Sequence, residues 1–206
     1  MADMRAFRDE VHGWAAGGPG EAASDLAVRL GVRTAVLLEG PSDLAAVEAL
    51  AARRGRDLAA EGVCVVAMGG AMSVGRYTGL LGPSGLGLRL AGLCDEGEQR
   101  FYDRALQRAR AASHSAFFVC VRDLEDELIR ALGTARVEEI VRTEGDHRAW
   151  QTFLRQPAQH GRPRQQQLRR FLGTKKGRKI RYGHLLVEAL DHDQVPAPLD
   201  DLLASL

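Results

Sequence analysis

Thr34-Ala35-Val36-Leu37-Leu38-Glu39-Gly40-Pro41-Ser42-Asp43 is the stretch whose reading decides the fold. Residues 34–38 form a short apolar run of the kind buried in a parallel sheet, and the run stops at Glu39-Gly40. Pro41-Ser42-Asp43 opens the next segment, where Leu44, Val47, Leu50 and Ala51 recur at helical spacing. The cycle then repeats. Residues 63–67 predict a second strand ending at Gly69-Gly70, followed by a helix over 72–81. Residues 88–93 predict a third strand ending at Asp95, with a helix over 98–111. Residues 116–121 predict a fourth strand ending at Asp123, with a helix over 124–132. Strands alternating with helices at this spacing predict an α/β fold. Its mostly parallel sheet has about four strands, with helices on both faces.

Outside that core the pattern is helical. Residues 4–15 and 21–30 read as helices separated by Gly17-Gly18-Pro19-Gly20, a strong breaker. Residues 137–141, 149–153, 165–172 and 179–190 read as further helices with no additional strand. The expected organisation is a helical segment over 1–31, an α/β domain over 32–133, and a basic helical extension over 134–206.

The chain has 206 residues, 45% hydrophobic and 27% charged, which excludes global disorder and suits one domain with a small appendage. Residues 1–14 mix charges of both signs without an apolar h-region, and no run reaches the roughly 18 apolar residues a membrane span needs. A cytoplasmic location and no membrane partner are expected. Cys64, Cys94 and Cys120 are too few and too dispersed for a disulfide framework or a paired-cysteine zinc knuckle, and read as buried thiols. Gly82-Pro83-Ser84-Gly85-Leu86-Gly87 lacks the terminal Gly-Lys-Ser/Thr of a phosphate loop and precedes a strand, so no ATP site is expected. The six histidines are scattered. His114, His147, His160 and His184 pair with no Cys or Ser at matching positions and read as solvated or packed.

Charge placement is more informative than the net charge of +1. Glu39, Asp95, Asp123 and Glu125 all fall at strand ends, and ligands of open parallel sheets bind in the crevice beyond those ends. Acidic residues there also cap helices, and Asp43 and Asp123 both fit that role. Converging carboxylates repel unless a cation gathers them, and an all-oxygen donor set suits Mg²⁺ or Mn²⁺. Between Gly161 and Tyr182 the chain carries nine basic residues and no acid: Arg162, Arg164, Arg169, Arg170, Lys175, Lys176, Arg178, Lys179 and Arg181. Such a block is suited to tracking phosphates. Phe171 and Tyr182 are its only aromatics, so base stacking is expected to be minor.

Leu37 to Asp43 resembles the first Toprim motif in the form found in OLD (overcoming lysogenization defect) nucleases, a strand ending in Glu-Gly-x-Ser-Asp. The Gly69-Gly70 turn, Gly92-Leu93-Cys94-Asp95-Glu96-Gly97-Glu98 and Asp123-Leu124-Glu125 resemble later elements of that branch, so the likeness spans about residues 33–132. The arrangement is similar to stand-alone Toprim proteins lacking the ATPase half. The resemblance implies a Rossmann-like Toprim fold and metal-dependent hydrolysis or nicking of nucleic-acid phosphodiesters, with DNA ahead of RNA. It also implies a partner protein supplying ATPase or targeting. By motif position it makes Glu39 a metal ligand or general acid/base, Asp43 and Asp95 metal ligands, and Glu125 a carboxylate near a second ion. Lys179 becomes a catalytic lysine. The family's Asp-x-Asp would place its second acid at Gly97. Either Glu98 takes over or one metal site is weak, and the alternative is a catalytically degenerate module that binds nucleic acid or metal beside a partner protein. A primase or topoisomerase is disfavoured by the lack of a zinc motif, the short chain, and the lack of a tyrosine in a nucleophile context.

Overall fold

The structure, a computed structural model, describes residues 4–111 and 115–206; His114 lies outside them. Two helices, α1 (Met4–Ala15) and α2 (Glu21–Leu30), precede the sheet. Then follow β1 (Thr34–Leu38), α3 (Pro41–Arg53), β2 (Val63–Ala67), α4 (Val74–Leu81), β3 (Arg89–Asp95), α5 (Gln99–Arg108), β4 (Ser115–Cys120) and α6 (Leu124–Leu132). Five helices complete the chain: α7 (Thr134–Thr143), α8 (His147–Leu154), α9 (Arg164–Leu172), α10 (Lys176–Glu188) and α11 (Ala197–Ser205). The four strands are ordered β2-β1-β3-β4 and every pairing is parallel. The alternation of apolar and polar segments in the sequence therefore reports the fold class correctly.

The period of two within each strand decides which residues enter which layer. Val36, Leu38, Val63, Val65, Ala91, Leu93 and Cys120 face one core, closed by α3 and the helices from α6 onward. Ala35, Leu37, Cys64, Val66, Leu90 and Cys94 face the other, closed by α1, α2, α4 and α5. The N-terminal helices and the helices of 134–206 thus each share a core with the sheet. All three cysteines are free and buried. Among the described residues no helix is long and apolar enough to cross a membrane.

Two details differ from the sequence reading. The third strand ends at Asp95 as expected, but a 3-10 turn over Glu96–Glu98 delays the helix, so α5 begins at Gln99. Helix α11 is the second difference. It has a Pro in its first turn, and Leu199, Leu202 and Leu203 are buried against the face shared by β3 and β4. The i, i+3, i+4 spacing is present in the sequence, but the elements expected from it end at residue 190, and the Pro in the first turn of α11 is a residue well suited to a helix start.

One close approach fixes where the later helices meet the strand ends. Helix α10 crosses the start of α3, and a Cβ on Gly183 would lie 2.4 Å from the Ser42 carbonyl oxygen. Only hydrogen fits there. At the far end of α3, Arg53 donates to the carbonyls of Val187 and Leu190, at 2.5 and 2.7 Å, pinning the end of α10. We predict that Gly183→Ala pushes α10 away from Ser42 and destabilises the protein by about 1–3 kcal/mol, the usual cost of overpacking. Urea unfolding would measure it, with Gly79→Ala as control because a Cβ there meets nothing within 4 Å.

Candidate active site

The carboxyl ends of β1, β3 and β4 and the starts of α3 and α6 enclose a cavity of about 200 Å³, lined by Glu39, Gly40, Asp43, Gly70, Asp95, Asp123, Glu125 and Lys179. Each wall has a local cause. Glu39 leaves β1 just before Gly40 caps α3, and the Gly40 N–H donates to Asp43 Oδ2 at 2.9 Å, which closes the first turn. The Gly69-Gly70 turn after β2 takes positive φ at both glycines, and the Gly70 N–H donates to the Glu39 carbonyl at 2.9 Å. The turn is thereby folded against the strand end, where a side-chain-free backbone leaves room for a ligand. Asp95 is the last residue of β3.

After β4, Arg122 adopts a left-handed φ of 69°. This turns the chain so that Asp123 caps α6, accepting from the Asp126 N–H at 2.8 Å. The other oxygen of Asp123 is paired with Arg169 of α9. Two residues on, Glu125 is 5% exposed and receives Lys179 Nζ at 3.1 Å from α10.

Electrostatics in the cavity follow from crowding. Burial pushes the Glu39 carboxyl up to about 8, reinforced by Glu98 within hydrogen-bonding range and by the charges of Asp95 and Asp43. Asp95 is raised to about 7, first by burial and then by Asp123, Asp43 and Glu125. Asp43 rises to about 6 through burial and Glu125, while Lys179 and the Gly40 N–H pull it back. Like charges about 4 Å apart cost about 4 kcal/mol at an effective dielectric of about 20, so these acids cannot all ionise without a cation. Lys179 goes the other way. Burial favours its neutral form, but Glu125, Asp43 and Asp123 outweigh burial and raise its pKa.

These residues fit a divalent ion by their chemistry. The donors are all carboxylate oxygens, and Glu39 Oε1 and Glu98 Oε2 are buried with no hydrogen-bond partner among the described residues. Among the described residues, no three His, Cys, Asp or Glu side chains stand close enough to hold an ion as they are placed. The reason is visible in the contacts, because Asp43, Asp123 and Glu125 are turned toward Gly40, Arg169 and Lys179. Glu98 approaches Glu39 from the 3-10 turn that replaces the expected start of the helix, so it occupies the neighbourhood left without an acid at Gly97.

Sequence reasoning assigns Glu39, Asp43, Asp95, Glu98, Glu125 and Lys179 to one site; the structure places five of them around the cavity, and Glu98 lies beside Glu39 outside its lining. Sequence reasoning misses the depth of involvement of Asp123, although the position after β4 is a signal. Tyr102 goes unmarked as well; its fully buried hydroxyl has no partner among the described residues and lies in the field of Glu39, Glu98 and Asp95.

The basic block is not one face. Arg169 points to Asp123 in the acidic cavity. Arg164 pairs with Glu138 at 2.9 Å and lies over Trp150, and Arg162 donates to the Ala158 carbonyl. Arg170 and Lys175 are exposed, and the side chain of Lys176 lies outside what the structure describes. Arg178 is 9% exposed, stacked on Phe171 at 4.1 Å and bonded to Asp146 and Thr174. Arg181 pairs with the same Asp146. The acid-free run reads as a continuous basic surface only because its counter-ions, Asp123, Glu138 and Asp146, lie outside the run.

Residues 32–96 match the family described as overcoming lysogenization defect protein-like, TOPRIM domain. Among solved structures the chain is similar to the C-terminal region of the Burkholderia pseudomallei OLD protein, at 20% identity and a TM-score of 0.63, covering 84% of this chain and 96% of that one. It is also similar to the C-terminal region of the Xanthomonas campestris pv. campestris OLD protein, at 24% identity and a TM-score of 0.64, covering 84% and 91%. At these identities the likeness is one of fold, and it reaches helices outside the matched 32–96 segment. No curated protein matches the chain.

The Asp146 cluster yields a pH prediction. Hydrogen bonding from Arg178 outweighs burial and, with the charge of Arg178, the Tyr182 hydroxyl and Arg181, holds the Asp146 carboxyl below its usual range. A depressed acid contributes stability that is present above its unfolded value, about 4, and is lost as pH falls through the lower folded value. Asp146→Asn should lose about 3 kcal/mol at about pH 7, because Arg178 is left buried without its partner. Denaturant unfolding between about pH 3 and 7 should show a shallower acid-side decline in the variant. Equal acid slopes would contradict the assignment.

Proposed function

We propose that this chain, whose residues 32–96 carry an OLD-like Toprim domain in the fold of OLD C-terminal regions, is a nuclease or nicking enzyme that hydrolyses DNA phosphodiesters with Mg²⁺ or Mn²⁺. The observation that carries the reading is the cavity of about 200 Å³ in which five carboxylates face one lysine. Glu39, Asp43, Asp95, Glu98 and Glu125 would hold the metal. A bound divalent ion there supplies an activated water and neutralises charge on the phosphate.

The protein's own groups complete the chemistry. Lys179, kept protonated by Glu125 and Asp43, sets a fixed positive charge where negative charge gathers on a phosphate in the cavity. Arg169 holds Asp123 in place as the cap of α6, which in turn fixes Glu125 two residues later. Burial raises the Glu39 carboxyl to about 8 in the metal-free site; as a ligand of a divalent ion it would be ionised, and only outside the ion's coordination would it be suited to passing a proton to or from a reacting oxygen. The exposed Arg170 and Lys175 give sequence-independent attraction to a phosphate backbone. A partner protein supplying ATPase or targeting belongs to the same reading.

One observation favours a second reading, a module that binds metal or nucleic acid without turnover. Gly97 stands where the motif has an acid, and Glu98 is engaged with Glu39.

Incubating the protein with supercoiled plasmid separates the two. With Mg²⁺ or Mn²⁺ we expect nicked or linear product, none in EDTA, and none from Glu39→Gln or Asp95→Asn. Lys179→Met should slow cleavage about 10²–10³-fold, the usual effect of removing one charge-stabilising donor. Plasmid binding without cleavage under every metal condition would leave only the second reading.

A further inference from the structure

Beyond the acidic cavity the molecule has a second polar recess, about 530 Å³, on the face built by α8, α9 and α10. Arg148, Lys175 and Arg178 line it together with Thr152, Gln156, Thr174, Phe153 and Phe171, and among the described residues no carboxylate does. Asp146, next in the chain to the lining residue Gly145, is engaged by Arg178, Arg181 and the Tyr182 hydroxyl. The wall is rigid. Arg178 lies over Phe171, which packs against Phe153 and Trp150, and its guanidinium donates to Thr174 Oγ1 at 2.6 Å. The rim is free, with Arg148, Lys175 and Gln156 all exposed.

We infer that this recess is a nucleotide-binding subsite that takes one nucleotide of a DNA strand, its phosphate on Arg148 and Lys175 and its base against the Arg178 wall. Three features favour a nucleotide over a bare anion. The volume is in the range that holds a small organic ligand rather than a lone phosphate. The wall formed by Phe153, Phe171 and the little-exposed Arg178 offers apolar and cationic surface against which an unpaired base can lie. The exposed amide of Gln156 can address a base edge, while the Thr152 hydroxyl, which donates to the Arg148 carbonyl at 3.0 Å, can only accept.

Placement ties the recess to the strand being cut, and here the inference rests on the nuclease reading. The Lys179 N–H donates to the Lys175 carbonyl at 3.0 Å, so the two lysines stand one helical turn apart, about 6 Å along the axis. Lys175 borders the recess and Lys179 borders the acidic cavity. The first turn of α10 is therefore a ridge between the two, and a strand crossing it would put one nucleotide in the recess while a neighbouring phosphate enters the cavity.

Fluorescence anisotropy of the full chain with a labelled single-stranded oligonucleotide in EDTA tests binding without cleavage. Arg148→Glu/Lys175→Glu should weaken binding at least tenfold and reduce the salt slope by about 0.7, the one phosphate contact that the two side chains share. Ala149→Trp, which fills the recess without changing charge, should weaken binding at least fivefold. Arg29→Glu, on the opposite layer, serves as the charge control. Normal affinity in Ala149→Trp, with circular dichroism confirming the fold, would overturn the inference, as would an Arg148→Glu/Lys175→Glu loss no greater than that of Arg29→Glu. Plasmid cleavage by the unaltered protein is scored separately, so a failed recess and a failed nuclease give different results.

Discussion

Mutual repulsion among carboxylates at one edge of the sheet is the constraint around which the molecule is arranged. Parallel strands all end on the same side, and β1, β3 and β4 each deliver an acid there or just beyond. Left to itself such an edge would disfavour the folded state. Two cations offset it, Lys179 on Glu125 and Arg169 on Asp123, and both come from helices far along the chain. The remaining tension stays in the acids, whose proton affinities are raised. An edge that is incompletely neutralised by its own side chains is receptive to a divalent ion, the class of ligand that Toprim domains generally bind.

The helices after β4 are what supply the counter-charges, and their packing explains why they can. Helices α7 to α11 share a core with one face of the sheet, so Arg169 and Lys179 sit on elements held by buried Leu168, Phe171, Tyr182 and Leu186 rather than on a loose tail. The same packing withdraws Arg178 from the surface. A basic run in sequence thus divides by helical phase into residues for the acidic edge, residues for the outside, and one for the interior.

Much of this is legible in the sequence, for identifiable reasons. Strands with no polar interruption, such as Ala35 to Leu38 and Val63 to Val66, can only be buried on both faces, and their glycine or acid terminators mark the edge where ligands bind. The clustering of Glu39, Asp43, Asp95, Glu98, Glu125 and Lys179 follows from strand ends plus the motif likeness. Pairing across the chain is what stays hidden. Nothing local to Asp146 says that it will neutralise Arg178 and Arg181, and nothing local to Asp123 says that it will hold Arg169 as well as cap a helix. Helix α11 lies beyond the last expected element, although the Pro in its first turn suits a helix start.

The hydrogen-only contact between Gly183 and Ser42 has a further consequence, in the order of assembly. It joins segments far apart in the chain, as do the Arg53 bonds to α10, the nearer of which spans 134 residues. Contacts of that separation form late, because loop closure must be met before they stabilise anything. As the chain leaves the ribosome, the acidic edge is made first and its lysine arrives only when α10 docks. A partly synthesised chain would therefore carry the carboxylates without the cation that completes them, and competence at the site would be coupled to completion of the core.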